Sequence, residues 1–221
     1  VFSPFSSPFP PFPPLFSRVL WFIPTGNSEK SLPYLLDVIE DGDQYRDVAR
    51  YIYSILLLET PELRSEASIQ LQQLVALYPM NSRFQLRLMS LLIIMDDYHG
   101  TLRTISGYLD ISKSPAEPDL SLTKIWKVRA YLGLGKTQLA ANTFNEISAV
   151  FRDARDDLPN WGVAWYVLTD GQLHDLASRR DQALGAYREI LSIAKDTYVS
   201  DNILEAARAG LSERYQIQPK P

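Results

Sequence analysis

Residues 161–191 contain two amphipathic helical patterns in close succession, joined by a short polar turn at residues 178–181. On the second pattern Ala183 and Tyr187 stand four residues apart, so they share one face of the helix. Gly171 precedes Ala183 by twelve residues and lies on the first pattern. Two helices with so short a connection pack as an antiparallel hairpin. This stretch therefore predicts an α-hairpin.

The same spacing, a small or medium residue followed four positions later by a large one, recurs along the chain. The pairs are Ala67 and Leu71, Thr101 and Ile105, Ala140 and Phe144, and Ala183 and Tyr187. Their first members are separated by 34, 39 and 43 residues. Self-similarity with a period of about 20–50 residues is typical of arrays of supersecondary units. The spacing predicts a chain of repeated hairpins.

These anchor pairs resemble the tetratricopeptide repeat family, in which small residues let two helices approach closely and a large residue fills the next hairpin. The resemblance covers roughly residues 45–191, and Pro79 stands where the family tends to place a terminating proline. The first helices depart from the pattern, since Asp170 replaces the family's leucine and His174 its tyrosine. The resemblance implies a right-handed α-solenoid of about five antiparallel helical hairpins with a C-terminal capping helix. It also implies protein binding without catalysis.

Hydrophobic periodicity and helix-stop signals predict where the helices lie. We expect helices over residues 15–23, 28–42, 45–59, 62–78, 82–95, 101–110, 120–132, 138–151, the two within 161–191, and 202–215. The last of these has a polar outer face, as the end of a solenoid requires. The predicted organisation is an extended segment at residues 1–14, a solenoid at 15–215 and a tail at 216–221.

The first sixteen residues, VFSPFSSPFPPFPPLF, differ in kind from the rest. Their six prolines exclude an α-helix and favour polyproline II. The aromatic residues recur every three or four positions at Phe2, Phe5, Phe9, Phe12 and Phe16. Leaving them in water would forgo about 1.5–3 kcal/mol of burial each. We expect this segment to dock through its phenylalanines on the chain's own first hairpins, on a partner or at a membrane surface.

Amino-acid composition excludes several other classes of protein. Hydrophobic residues make up 46% of 221, enough for a core, and the net charge of −4 offers no basic surface for nucleic acid. The absence of cysteine excludes disulfides and thiolate metal sites, and no run of about 18 apolar residues predicts a transmembrane helix. The chain begins at Val1, which is compatible with an exported mature chain and with a cytoplasmic one.

Several stretches resemble catalytic or binding motifs, but each lacks an essential part. Residues 133–137, GLGKT, lack the earlier glycine and the preceding strand of a phosphate-binding loop and predict an inter-helix turn. His99 is expected in a solvated turn, and His174 packed and hydrogen-bonded to a neighbour. The aspartates of residues 153–157 lack the glycine and the final glutamate of a calcium loop. We therefore expect no catalytic residues, no metal site and no cofactor.

The expected function is that of an interaction scaffold or adaptor, whose first helices line a concave groove. By register, the groove residues are Gln85, Met89, Arg129, Trp165, Gln172 and Asp175. One aromatic, one cation and several amides suit an extended peptide, whereas the lysine–asparagine clamp for a terminal carboxylate is missing. The alternative is a permanent subunit of a larger assembly, including one at a membrane, docked through the phenylalanine-rich segment.

Overall fold

A computed structural model describes residues 28–57, 60–113 and 115–217, and all regular structure within these ranges is helical. The α-helices are α1 Ser28–Asp41, α2 Arg46–Leu57, α3 Arg64–Leu77, α4 Ser82–Ile94, α5 Tyr98–Ser112, α6 Asp119–Gly133, α7 Thr137–Asp153, α8 Asn160–Leu176, α9 Arg180–Asp196 and α10 Asp201–Ser212. Short 3-10 helices occupy Pro61–Leu63 and Arg155–Asp157. The all-α prediction is confirmed. The predicted helix over 15–23 and the N-terminal phenylalanine segment lie outside the described residues.

The chain divides into two compact units, residues 1–70 and 71–221, with the division inside α3. In the first unit α1 packs against α2 across a four-residue connection. Helix α2 buries Ala49, Tyr53 and Leu57. The second unit holds α4 to α10 and the largest apolar core. The solenoid domain predicted over residues 15–215 spans both units.

Three helical hairpins make up most of the second unit: α4 with α5, α6 with α7, and α8 with α9. Helix α10 packs on both α8 and α9. The first helices of the hairpins, α4, α6 and α8, and then α10, also contact one another in succession. No comparable contact joins α5, α7 and α9 within the described ranges. The first helices thus form a continuous layer, and the second helices pack on its outer side.

The turns inside the three hairpins share one backbone conformation. Each contains one residue with positive φ: Asp96 at 60°, Gly135 at 70° and Ser178 at 60°. In each turn the amide of this residue donates to the carbonyl three residues earlier, and the next amide donates to the carbonyl five residues earlier, at 2.8–3.1 Å. This is the Schellman pattern that ends helices. The three turns are 39 and 43 residues apart, the same intervals that separate the last three anchors.

The anchor residues occupy the buried positions that the sequence predicted. All eight are buried, namely Ala67, Leu71, Thr101, Ile105, Ala140, Phe144, Ala183 and Tyr187. The first member of each pair has no exposed surface, as expected of small residues at a close helix contact: Ala67, Thr101, Ala140 and Ala183. The α-hairpin register is therefore correct in the second unit, where the turns and anchors keep the same intervals.

Several helix boundaries differ from the prediction by up to five residues, the largest difference being the end of α9 at Asp196 rather than at residue 191. Two of the differences involve the hydrogen bonds of nearby side chains. Helix α5 begins at Tyr98 rather than Thr101, because the Asp97 side chain accepts the amide of Gly100 at 2.7 Å and caps the helix earlier. Helix α10 ends at Ser212 rather than at Tyr215. The amide of Tyr215 instead donates to the carboxylate of Asp175, which lies outside the helix.

Ala183→Leu tests the register directly. We expect it to lower the free energy of unfolding by about 1–3 kcal/mol, because a larger side chain must be forced into a position with no free surface. Ala177→Leu, in the exposed residue that ends α8, should change stability by less than about 0.5 kcal/mol. Urea unfolding of both variants measures the difference, and equal midpoints would contradict the assigned register.

Candidate partner-binding face

The six residues predicted for the groove all lie on the layer of first helices. Helix α4 carries Gln85 and Met89, α6 carries Arg129, and α8 carries the other three. Five of the six are buried, and Arg129 is partly exposed. All six therefore lie on α4, α6 and α8, the helices that contact one another in succession. Of the six predicted groove residues, Arg129 alone therefore keeps appreciable exposed surface.

The α4 residues serve the interior of the fold. The Gln85 side chain donates to the carbonyl of Pro79 at 2.9 Å and so ties the start of α4 to the chain just before it. Met89 has no exposed surface and belongs to the main apolar core. Neither side chain presents a surface to a partner in this conformation.

Arg129 on α6 meets two predicted groove residues of α8. Its guanidinium carbon lies 4.8 Å from the ring centroid of Trp165, and Nη1 donates a hydrogen bond to Oε1 of Gln172. Arg129 and Gln172 are 43 residues apart, the interval between these two hairpins, so they occupy equivalent positions on neighbouring helices. Trp165 and Gln172 are two helical turns apart on one face of α8. The structure thus brings three of the six predicted residues together.

Two further tryptophans extend this group. The ring of Trp126 stacks on Trp161 at a centroid distance of 5.7 Å and meets Trp165 edge-on at 5.5 Å. Trp126 is enclosed, whereas Trp161 keeps 38% of its surface exposed. We call Trp126, Arg129, Trp161, Trp165 and Gln172 the Trp–Arg cluster. Its accessible members are the ring of Trp161 and the guanidinium of Arg129.

Three tyrosines lie near enough to Arg129 to affect its ionisation. The Tyr98 ring lies against Gly133, one turn beyond Arg129 on α6, where a Cβ atom would come within 2.2 Å of the ring. Burial lowers the pKa of Arg129, and the nearby phenol groups of Tyr215, Tyr98 and Tyr187 act in the opposite direction. The guanidinium remains charged at neutral pH, because arginine side chains are not deprotonated in proteins.

Asp175, the sixth predicted residue, forms an internal hydrogen-bonded junction. Its carboxylate accepts from Nη1 of Arg180 at 2.9 and 3.0 Å, from the Tyr187 hydroxyl at 2.9 Å and from the amide of Tyr215 at 2.9 Å. Arg180 also donates to the carbonyl of Leu211 at 3.2 Å, near the end of α10. The junction holds the last segment of the chain against α8 and α9.

The ionisation of Asp175 fits this role. Burial acts to raise its pKa, but the amide of Tyr215, the Arg180 guanidinium and the Tyr187 hydroxyl together outweigh burial and hold the pKa below its ordinary value. Burial and the adjacent Asp175 both raise the pKa of Tyr187. At neutral pH the junction therefore pairs an ionised carboxylate with a neutral phenol and a guanidinium.

The remaining motif-like stretches have structural explanations. Residues 133–137 form the turn between α6 and α7, as predicted. His99 is exposed in the first turn of α5, and Nε2 of His174 lies 3.5 Å from Oδ1 of Asp170 on the same helix. Within the described part of the chain, no three His, Asp or Glu side chains are grouped so that they could hold a metal ion.

The sequence prediction missed Trp161, Trp126, Tyr98 and the junction partners of Asp175. Trp161 could have been found, because it precedes Trp165 by four residues and so lies on the same face of α8. The tyrosines could not, because Tyr98 belongs to the preceding hairpin and Tyr215 follows the last helix. Their positions depend on helix packing alone.

The chain matches no protein-family model, and a search of curated proteins finds no relative. No helix within the described ranges has both the length and the apolar character needed to cross a membrane. The function of the chain must therefore be inferred from the geometry of its described residues.

Proposed function

We propose that this chain is a non-catalytic interaction scaffold of the tetratricopeptide-like helical repeat class. Its partner would be a segment of another protein, bound on the layer of first helices in the second unit. The proposal includes the right-handed solenoid of about five hairpins with α10 as its cap.

One observation carries the proposal, namely the unequal packing of first and second helices. The first helices contact one another in succession, and no comparable contact joins the second helices among the described residues. Helices that lie closer together on one side of an array curve the array toward that side. Such curvature produces the concave surface on which repeat proteins hold extended partners. The predicted groove residues all belong to the helices on that side.

The chemistry of the Trp–Arg cluster agrees with a binding role. Tryptophan and arginine are the residue types most enriched among those that dominate binding energy at protein interfaces. Trp161 offers a partly exposed ring supported from behind by Trp126, so little side-chain freedom would be lost on binding. Within the described ranges, few other large aromatic side chains on the first helices are exposed to this extent.

Trp161→Ala tests the proposed face. We expect partner recovery to fall about tenfold, which corresponds to about 1.4 kcal/mol of binding free energy. The measurement is isolation of the tagged full chain from its own organism after brief cross-linking, with quantitative mass spectrometry. The matched control is Leu139→Ala, which removes a side chain of similar exposure from α7, a second helix. Circular dichroism should show that both variants keep their helices.

The two variants separate the competing functions. Loss of partners with Trp161→Ala but not with Leu139→Ala supports binding on the first helices. Equal recovery with both variants would refute that assignment. A stoichiometric partner that resists exchange and is retained by both variants would favour the permanent-subunit alternative.

A further inference from the structure

Arg129 carries a positive charge that the described part of the chain does not neutralise. No Asp or Glu oxygen of these residues lies within 4.0 Å of its guanidinium. The same holds for exposed arginines such as Arg188, but Arg129 is only partly exposed and water cannot solvate it as fully. The only hydrogen bond that Arg129 makes there is the one to the neutral amide of Gln172. Its Nε is enclosed without an acceptor.

Such an arrangement is costly for the isolated chain. Taking a guanidinium out of water is unfavourable unless an anion and hydrogen-bond acceptors replace the water. The face of Trp165 compensates in part, since a cation over a tryptophan ring is attracted by the ring electrons. A ring supplies no acceptor for the N–H groups, so most of the hydrogen-bonding capacity of Arg129 is unused.

The N–H groups of Nη1 and Nη2 that lack an acceptor lie at the end of the guanidinium. Nη2 makes no hydrogen bond within the described residues, yet it is absent from the enclosed atoms, so it retains access to solvent. Nη1 has a second N–H besides the one given to Gln172. A planar guanidinium presents this pair of N–H groups in the geometry that matches the two oxygens of a carboxylate.

We propose that Arg129 is a recognition site for a carboxylate of the bound protein segment, held end-on by Nη1 and Nη2. This inference rests on the proposed function, because it assigns partner chemistry to the same face. The carboxylate would come from an acidic side chain or from a chain terminus, two sources with the same chemistry. Gln172 and Trp165 act as positioning residues that hold the guanidinium in place.

Nuclear magnetic resonance of the full chain labelled with ¹⁵N-arginine tests this inference. Three probes are titrated: N-acetyl-Gly-Glu-Gly-amide, which has a side-chain carboxylate only, N-acetyl-Gly-Gly-Gly acid, which has a terminal carboxylate only, and N-acetyl-Gly-Gln-Gly-amide, which has neither. We expect saturable shifts of the Arg129 guanidinium signals with at least one acid, at concentrations up to about 20 mM, where a millimolar site is filled. The amide probe should cause less than a tenth of that shift.

Two variants provide the controls. Arg129→Gln should remove the shifted signals and so assign them to Arg129, and Arg129→Lys serves the same purpose if the first variant does not fold. Arg188, exposed on α9, is the internal reference and its signals should not shift. No shift with either acid, an equal shift with the amide probe or an equal shift at Arg188 would overturn the inference. Failure here with partner loss in Trp161→Ala would leave the proposed function standing.

Discussion

We expect Asp175→Ala to lower the free energy of unfolding by about 3–5 kcal/mol, the usual cost of breaking a buried ion pair by removing one partner. The side chain of Asp175 has no exposed surface, and that of Arg180 is 20% exposed. Without the carboxylate, the Tyr187 hydroxyl and the amide of Tyr215 lose their acceptor, and the Arg180 guanidinium keeps only carbonyl acceptors such as that of Leu211. Urea unfolding followed by circular dichroism and tryptophan fluorescence measures the loss.

The control for this substitution is Asp196→Ala, which removes an exposed carboxylate from the last turn of α9. A surface change of this kind should alter stability by no more than about 0.5 kcal/mol. If Asp175→Ala were equally mild, the junction would contribute nothing to stability, and Asp175 would again be a candidate for contact with a partner.

The pH dependence identifies the charge as the source of the effect. The native pKa of Asp175 lies below its ordinary value, so its contribution to stability is complete above about pH 4 and is lost as the pH falls through the lower native pKa. The difference in unfolding free energy between the wild type and Asp175→Asn should therefore be largest near neutral pH and shrink in acid. A difference that stays constant from neutral pH to about pH 2 would contradict this account.

Gly171→Ala should destabilise the chain by about 1–3 kcal/mol, although alanine is the better helix former. The ring of Tyr187 is fully enclosed and lies between Gly171 on α8 and Gly210 on α10. A Cβ atom at Gly171 would lie 2.7 Å from the ring, and one at Gly210 would lie 2.5 Å from it. Because Tyr187 is also fixed by its hydrogen bond to Asp175, the ring cannot move aside.

Gly185→Ala is the matched control, since this glycine also lies within a helix and no atom lies within 4 Å of its added Cβ. We expect it to raise stability by up to about 1 kcal/mol through helix propensity alone. In a Tyr187→Leu background, which removes the ring, Gly171→Ala should lose most of its cost. The same cost in both backgrounds would show that the ring is not what excludes the side chain.

Local sequence signals were sufficient to predict the helices and their hairpin register. Apolar periodicity and capping residues act within one or two turns, and they predicted an all-α chain with its helix boundaries displaced by a few residues. The anchor spacing predicted the buried positions on the second helices, including Ala183 and Tyr187, and the polar turn after α8. These features could be predicted because each depends on residues close together in the chain.

The layer that lines the candidate site was also predictable, since a repeat places equivalent residues on neighbouring first helices. The solvent exposure of each residue could not be predicted from the sequence. Arg129 keeps some exposed surface. It lacks a carboxylate partner because the residue at the equivalent position on α8, Gln172, is an uncharged amide. Asp175 is enclosed because Arg180, Tyr187 and the amide of Tyr215, forty residues away, converge on its carboxylate.

The sequence by itself determined that the chain folds into helical hairpins in a fixed register, because helix formation and capping are decided by residues a few positions apart. Only the tertiary structure decided that Asp175 is bound internally while Trp161 and Arg129 keep exposed surface. Exposure and hydrogen-bond partnership depend on which distant helices pack side by side and on where the chain after α10 returns. Periodicity along one helix carries no information about either.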